Sequence, residues 1–390
     1  MYKYIQDSIK NNSRCVLKGL TRPQQKALSE VVRGLFTAGE PILRHIAQDS
    51  TKSAKKQAEK YSYHLGNVHI QEKVEGLALK QAKKQVRKRT VIAYDLTDIA
   101  KESAKKIEKI SRVWDGSKRK VATGFSLHGV GINGILTKFQ MHDSDQFTLN
   151  QIRRKIVTEI AKKLDFKGIW VFDRGNDDKA FFKFLRQDLK VDFIARLKEN
   201  RQVVIKKNGV KIQVKNLKAG KYAVYLMKKN NDHVDLSCEY TLVISHHLED
   251  KEPIRLIHSL KYNYSKNRIV NMYLERWGVE NIFKRVKEKF DLESIRVLKW
   301  QKFVNLVALI QLAVLVSTIT FLKIQQSTNA LIIGVLMHYK KFLKLKTLGF
   351  NLDSFISFMK ISLKPLIIRL EKPPNQPALF SNRQLVKLTG

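Results

Sequence analysis

A chain of 390 residues with 43% hydrophobic side chains is long enough for several buried cores, which excludes a disordered polyelectrolyte. Its 74 Lys and Arg against 35 Asp and Glu leave a net charge of +39, a self-repulsion that calls for a polyanionic partner. Nucleic acid is the first expectation and an anionic membrane surface the second.

The basic excess is spread along the chain, with 19 Lys/Arg against 7 Asp/Glu in residues 1–90 and 11 against 2 in residues 322–390. A long binding surface is therefore expected rather than one basic tail. Cys15 and Cys238 lie far apart with no metal-ligand spacing, and the opening Met-Tyr-Lys-Tyr-Ile-Gln-Asp has no signal-peptide pattern. Free thiols and a cytoplasmic, nucleoid-associated protein follow as expectations.

Residues 1–85 read as helices. Thr21 can cap a helix that carries Pro23 early, with Leu28, Val31, Val32, Leu35 and Phe36 at helical spacing. A second helix runs from about Pro41 to Ile46, and a third, basic one through Asp49–Tyr63. This block looks like a small DNA-contacting domain, although a generic bundle with basic faces would read the same way. Near residue 90 the period changes from 3.6 to 2. Thr90–Asp95 is a β-branched and aromatic run that ends on an acid, and Lys118–His128 and Gly134–His142 read as strands with Gly129, Gly131 and Gly134 suited to a hairpin between them. Phe147–Leu164 is helical, Gly168–Asp173 is a second apolar strand ending on an acid, Asp177–Leu189 is a helix capped by Asp177, and Val191–Leu197 is a strand. The order β-β-β-α-β-α-β predicts a mixed α/β sheet flanked by helices.

Residues 199–262 form a β-rich insertion, in which Asn208-Gly209 marks a hairpin and Tyr222–Met227, Tyr240–Ser245 and Ile254–Ser259 are strands. Beyond it lies Tyr273–Lys287, and then the uncharged run Phe303–Leu322. That run is long enough to span a bilayer, but Asn305, Gln311, Ser317, Thr318 and Thr320 favour a buried core helix. Basic amphipathic helices and a Pro-rich tail from Glu371 end the chain.

The chemistry is expected at three acids. Asp95 and Asp173 close the first and fourth strands, which are commonly neighbours in this topology, and ligand sites gather at the carboxyl edges of such sheets. Placed on one helix, Glu280 has Tyr273 about 20° to one side, and Arg276 about 40° and Lys287 about 20° to the other. One carboxylate, two cations and a phenol then share a stripe. Each acid also has an ordinary reading: Asp95 could end in a turn with Asp98 competing for its role, Asp173 could start a turn, and Glu280 could be an exposed helix acid beside Glu275 and Glu288. Three carboxylates at one point repel unless divalent cations sit among them, and hard oxygen donors suit Mg²⁺ or Mn²⁺. Two such ions about 4 Å apart clamp the oxygens of an in-line phosphoryl displacement. Trp277 could stack on an unpaired base, though core packing is the commoner fate of such an indole. His246, His247 and His258 gain no further residue at ligand spacing and read as structural.

The spacing Tyr273-x2-Arg276-x3-Glu280-x6-Lys287 resembles the Y-R-E-K signature of DDE transposases of the bacterial insertion-sequence group numbered four. Leu274–Lys284, Asp95-Leu-Thr97 and Asp173-Arg-Gly175 are similar to that group as well, and the likeness spans about residues 90–300. Asn176 departs from it, standing where the group often has an apolar or aromatic residue. The resemblance implies an RNase H-like core in two parts, 86–198 and 263–325, the second carrying the Glu helix. Around it would lie the helical N-terminal domain (1–85), the β-rich insertion (199–262) and a basic helical C-terminal region (326–390). It implies Asp95, Asp173 and Glu280 as catalytic and metal-binding residues for two Mg²⁺ (or Mn²⁺) ions. Tyr273, Arg276 and Lys287 would contact DNA, with Lys284 and Trp277 beside them. It also implies cut-and-paste transposition at terminal inverted repeats, acting on double-stranded DNA as a homodimer, with no membrane and no small-molecule cofactor. A catalytically inactive DNA-binding descendant, or an RNase H-like nuclease without strand transfer, would share most of these features.

Overall fold

The computed structural model describes residues 2–48, 53–102, 104, 106–116, 118–227, 234–246, 252–325 and 351–370. The Pro-rich tail from Glu371, most of the basic C-terminal region and His247 lie outside the described residues. Helices α1 (Tyr2–Leu17), α2 (Arg22–Ala38), α3 (Leu43–Ile46), α4 (Ala54–Gly66) and α5 (Gln71–Lys83) precede the sheet. Thr21 caps α2 in a reciprocal capping box with Gln24, and Pro23 sits in its first turn, as the sequence indicates.

The sheet holds β1 (Val91–Ala100), β2 (Ser111–Asp115), β3 (Lys120–Ile132), β4 (Ile135–Met141), β5 (Ile169–Phe172) and β6 (Asp192–Arg196). Helix α6 (Leu149–Lys163) precedes β5, and α7 (Lys179–Lys183) with a following π-turn precedes β6. Strand β1 runs antiparallel to β3 and parallel to β5, which is parallel to β6. The first and fourth strands of the sequence reading are therefore neighbours; the short β2 is the strand that reading omits. The insertion strands β7 (Gln202–Ile205), β8 (Lys211–Gln213), β9 (Gly220–Met227), β10 (Val234–Ser245) and β11 (Ile254–His258) do not make a separate sheet. They extend the core sheet in the order β2-β3-β1-β5-β6-β11-β10-β9-β7-β8, with β4 paired to β3.

Helices α8 (Lys266–Leu274), α9 (Trp277–Phe290), α10 (Trp300–Gln325) and α11 (Leu352–Leu370, the last described helix) follow. Among the described residues, α10 is the helix long and apolar enough to cross a membrane, yet 94% of its apolar window is buried in the protein. Its polar side chains explain why it suits a core. Asn305 donates to Leu65 O (2.8 Å) and Val68 O (2.7 Å), and Gln311 donates to Leu136 O (2.9 Å). One apolar cluster joins α1, α2 and α4 to α9, α10 and α11, so the N-terminal helices share a core with the helix carrying Glu280.

Glycine placement decides how α9 meets the sheet. Asn133 and Gly134 both have positive φ (48° and 76°), and they alone make the β3–β4 hairpin turn. Gly129 and Gly131, expected in that hairpin, lie instead inside β3, because α9 crosses there. A Cβ on Gly129 would stand 2.3 Å from the Phe283 ring, and one on Gly131 would stand 3.1 Å from Val279. Gly129→Ala should therefore cost about 1–3 kcal/mol in a urea melt by overpacking this contact. An unchanged melting midpoint would show that α9 is not seated on β3 as described.

Candidate active site

Backbone register brings the first two acids together. Tyr94 pairs with Phe172 at the last rung of the parallel β1–β5 ladder, so Asp95 and Asp173 follow side by side where β5 ends. Strand β1 itself runs on to Ala100, so Asp95 lies inside its strand rather than closing it as expected. Strand alternation puts Asp95 on the α9 face, whereas Asp98, three residues on, turns away and accepts Ser126 Oγ at 2.5 Å. Of these two competing carboxylates, Asp95 is the one the site receives.

Glu280 reaches the same place from the first turn of α9. Arg276 joins it to the sheet: Nη1 donates to Asp95 Oδ2 (2.8 Å) and contacts Glu280 Oε1 (2.6 Å). This guanidinium is buried, and Tyr273 lies beneath it with its ring centroid 5.6 Å away. The Asp95 carboxyl is pushed up to about 7, chiefly by burial and next by the Asp173 charge; Arg276 opposes the shift and Glu280 adds a smaller push upward. The three acids thus share one electrostatic environment.

The expected stripe along a single helix is corrected in one respect. Between α8 and α9 the backbone ladder tightens to i→i+3 bonds, Arg276 N to Tyr273 O (3.0 Å) and Val279 N to Arg276 O (3.0 Å). Tyr273 falls in α8 and is buried at 3% exposure under Arg276, where the sequence reading expects an exposed stripe. Trp277 is 53% exposed, so core packing does not describe it. Lys287 donates to Asp98 O (2.7 Å) and pairs with Glu293 (3.2 Å), while the exposed Lys284 pairs loosely with Glu288 at 3.8 Å. Helix α11 braces α9 from behind through the two-pronged pair of Arg285 with Asp353 (2.7 and 3.1 Å).

Asp173 opens a 3-10 turn over Arg174–Asn176, and its Oδ2 accepts Gly175 N at 3.0 Å. Asp178 caps α7, not Asp177 as expected. Asp177 is buried, accepting Lys198 N (2.9 Å) and pairing with Arg201 (2.6 Å). Sequence reading also overlooked a buried relay behind Asp95: the Tyr94 hydroxyl bonds His128 Nδ1 (2.6 Å), and His128 Nε2 bonds His142 Nδ1 (3.3 Å). Burial pushes His128 down to about 3, which keeps it neutral. The available signal was a histidine in the middle of an apolar strand.

A donor set made only of carboxylate oxygens suits a hard divalent cation. Among the described residues no three His, Cys, Asp or Glu side chains form a ready-made ion cage. The Arg276 guanidinium stands between two of the acids.

The family model of the transposase DDE domain matches residues 86–316, more than half of the chain. The chain belongs to the DDE transposase-domain family. The matched DDE domain begins just before β1 and ends inside α10, so it takes in all three acids and the insertion. No curated protein matches the chain. Among solved structures it is similar to a piggyBac transposase synaptic complex with hairpin DNA, determined by cryo-EM. The TM-score is 0.52 at 10% identity, covering 99% of this chain and 82% of that one. That likeness is one of fold: a DDE domain built on a large mixed sheet with helices packed against it.

Proposed function

We propose that this DDE domain carries out cut-and-paste transposition of an insertion sequence, cleaving phosphodiesters at terminal inverted repeats and joining the freed 3′ ends to target DNA. What supports the reading is that Asp95 of β1 lies beside Asp173 at the end of β5, while Arg276 ties Glu280 of α9 to Asp95. Asp95, Asp173 and Glu280 would hold the divalent cations, Mg²⁺ or Mn²⁺ and two in number. When bound, these ions stabilise the attacking and leaving oxygens of the displacement. The chain supplies the rest. The strand edge and α9 fix the acids in space before substrate arrives, so little reorganisation remains for the chemical step. Arg276 offers a planar fork that can hold a phosphate through two parallel hydrogen bonds, whereas Lys284 and Lys287 act as point charges along the backbone. Trp277, exposed at the start of α9, would stack on an unpaired base.

The partner is double-stranded DNA, both element ends and target, handled by a homodimer because two ends must be cut together. The similar piggyBac structure was itself determined with hairpin DNA. The net charge of +39 supplies the sequence-independent part of binding.

The test is cleavage of a duplex carrying the inverted repeats that flank the gene, with Mg²⁺ or Mn²⁺. Nicking at the repeat boundary that leaves a 3′-hydroxyl, followed by joining to a target plasmid, is expected. Cleavage without joining would reduce the reading to a nuclease, and binding without cleavage would reduce it to a DNA-binding protein. Lys287→Ala should weaken end binding about equally across sequences, with a salt slope shallower by about 1. An unchanged slope would leave Lys287 serving only Asp98 and Glu293.

A further inference from the structure

We infer that Asn176 and Arg153 form a positioning pair that sets the Asp173 carboxylate, an inference that rests on the catalytic reading of Asp173. Asn176 is buried at 4% exposure and Arg153 at 5%, both unusual for their residue types. Asn176 Nδ2 donates to Asp173 Oδ1, and Asn176 Oδ1 accepts Arg153 Nη1 at 2.9 Å. Arg153 Nη2 donates to Asp178 Oδ2 at 3.0 Å, and the guanidinium lies flat on the Phe181 ring with its centre 3.8 Å from the centroid. Asp178 in turn accepts Ala180 N (2.9 Å) and Phe181 N (3.3 Å) at the head of α7. A chain of directed bonds therefore runs from α7 through α6 to one oxygen of Asp173, while Gly175 N fixes the other.

The direction of each bond is forced. Arginine can only donate, so the amide oxygen of Asn176 must face Arg153. A carboxylate can only accept, so the amide nitrogen must face Asp173. The pair thereby determines which lone pairs of Asp173 remain free toward Asp95 and α9. Neither Asn176 nor Arg153 touches the reacting atoms. They act through Asp173, as outer partners do when they orient a ligating carboxylate.

The experiment measures Mn²⁺ binding to the full-length protein by water-proton relaxation, together with the Mn²⁺ concentration that half-saturates end cleavage and the saturated rate. Asn176→Asp keeps the shape and the acceptor for Arg153 but sets a second carboxylate against Asp173. Asn176→Ala only removes the donor. A positioning role predicts weaker Mn²⁺ binding and a raised half-saturation, about 10-fold for Asn176→Ala and about 100-fold for Asn176→Asp, with a smaller change in saturated rate. A packing role predicts the reverse order, because Asp is isosteric and Ala leaves a void; that order overturns the inference. Should Asn176→Asp fail to fold, Asn176→Ala and Arg153→Lys decide, and unchanged Mn²⁺ binding in both overturns it equally. Asp173→Asn is the control. If it binds Mn²⁺ and cleaves like the parent, the catalytic reading fails whatever Asn176 does. If it loses both while the Asn176 variants keep them, only the positioning inference fails.

Discussion

Asp95→Asn, Asp173→Asn and Glu280→Gln should each lower end cleavage by about a thousandfold or more while leaving binding to end DNA intact. Each substitution keeps the shape and removes one charged oxygen donor, and groups acting as a unit lose most of their effect when any one is removed. Robust nicking by any purified variant would remove that residue from the proposed triad. Asp95→Asn carries a second, opposite expectation. The folded pKa of Asp95, about 7, lies above its ordinary value of 3.8. Its contribution to stability is therefore fully present below about pH 4 and lost as pH rises through 7. The loss has a ceiling of roughly 4 kcal/mol, because each pKa unit is worth about 1.4 kcal/mol. Without divalent cations, Asp95→Asn should be inactive yet melt higher than the parent at pH 8, with the two curves converging near pH 4. Asp173→Asn should shift the pH at which the parent loses stability downward, since Asp173 is the largest charge raising Asp95. A parent and Asp95→Asn pair that melt together at pH 8 would show that the Asp95 carboxylate is solvated rather than strained.

The chain order of core elements was legible because it rests on short-range rules. Asp173 does close its strand, whereas β1 runs on past Asp95 to Ala100; the Asp95–Asp173 adjacency follows from parallel pairing that stops at Tyr94 and Phe172. Long-range packing was not legible. Gly129 and Gly131 look like turn residues in sequence, and only the passage of Phe283 and Val279 over them shows that they make room for a helix. Tyr273 fits an exposed stripe if the helix is continuous, but a tightening of one turn at Glu275–Arg276 carries it into the core. Asn176 stood out only as a departure from the family pattern. Its bond to Asp173 is local, three residues back, but its bond to Arg153 spans 23 residues, and no local pattern encodes that second partner. The polar residues of α10 were the converse case: too many for a lipid-facing helix, they find backbone carbonyls on neighbouring elements or one turn back in the helix itself.

Arg276→Ala should abolish cleavage, by about 100- to 1,000-fold, and yet bind Mn²⁺ more tightly than the parent when no DNA is present. One guanidinium nitrogen serves both Asp95 and Glu280, so in DNA-free protein it holds ground that a dication would take. Removing it relieves that competition. The same removal leaves the buried Asp95 carboxylate without a counter-charge, a cost it escapes by keeping its proton, so with a folded pKa of about 7 the penalty at pH 8 is capped near one pKa unit, about 1.4 kcal/mol. The Glu280 half of the bridge adds little, because that carboxylate is 47% exposed and screened by solvent. Destabilisation should accordingly be greater at pH 8 than at pH 4, and reversed in part by Mn²⁺. Arg276→Lys separates charge from geometry: it restores a cation but not a planar fork, so stability should return while phosphate positioning and cleavage do not. An Arg276→Ala protein that cleaves like the parent, or that binds Mn²⁺ no better, would make the bridge a static ion pair and leave the acids without a DNA-dependent partner.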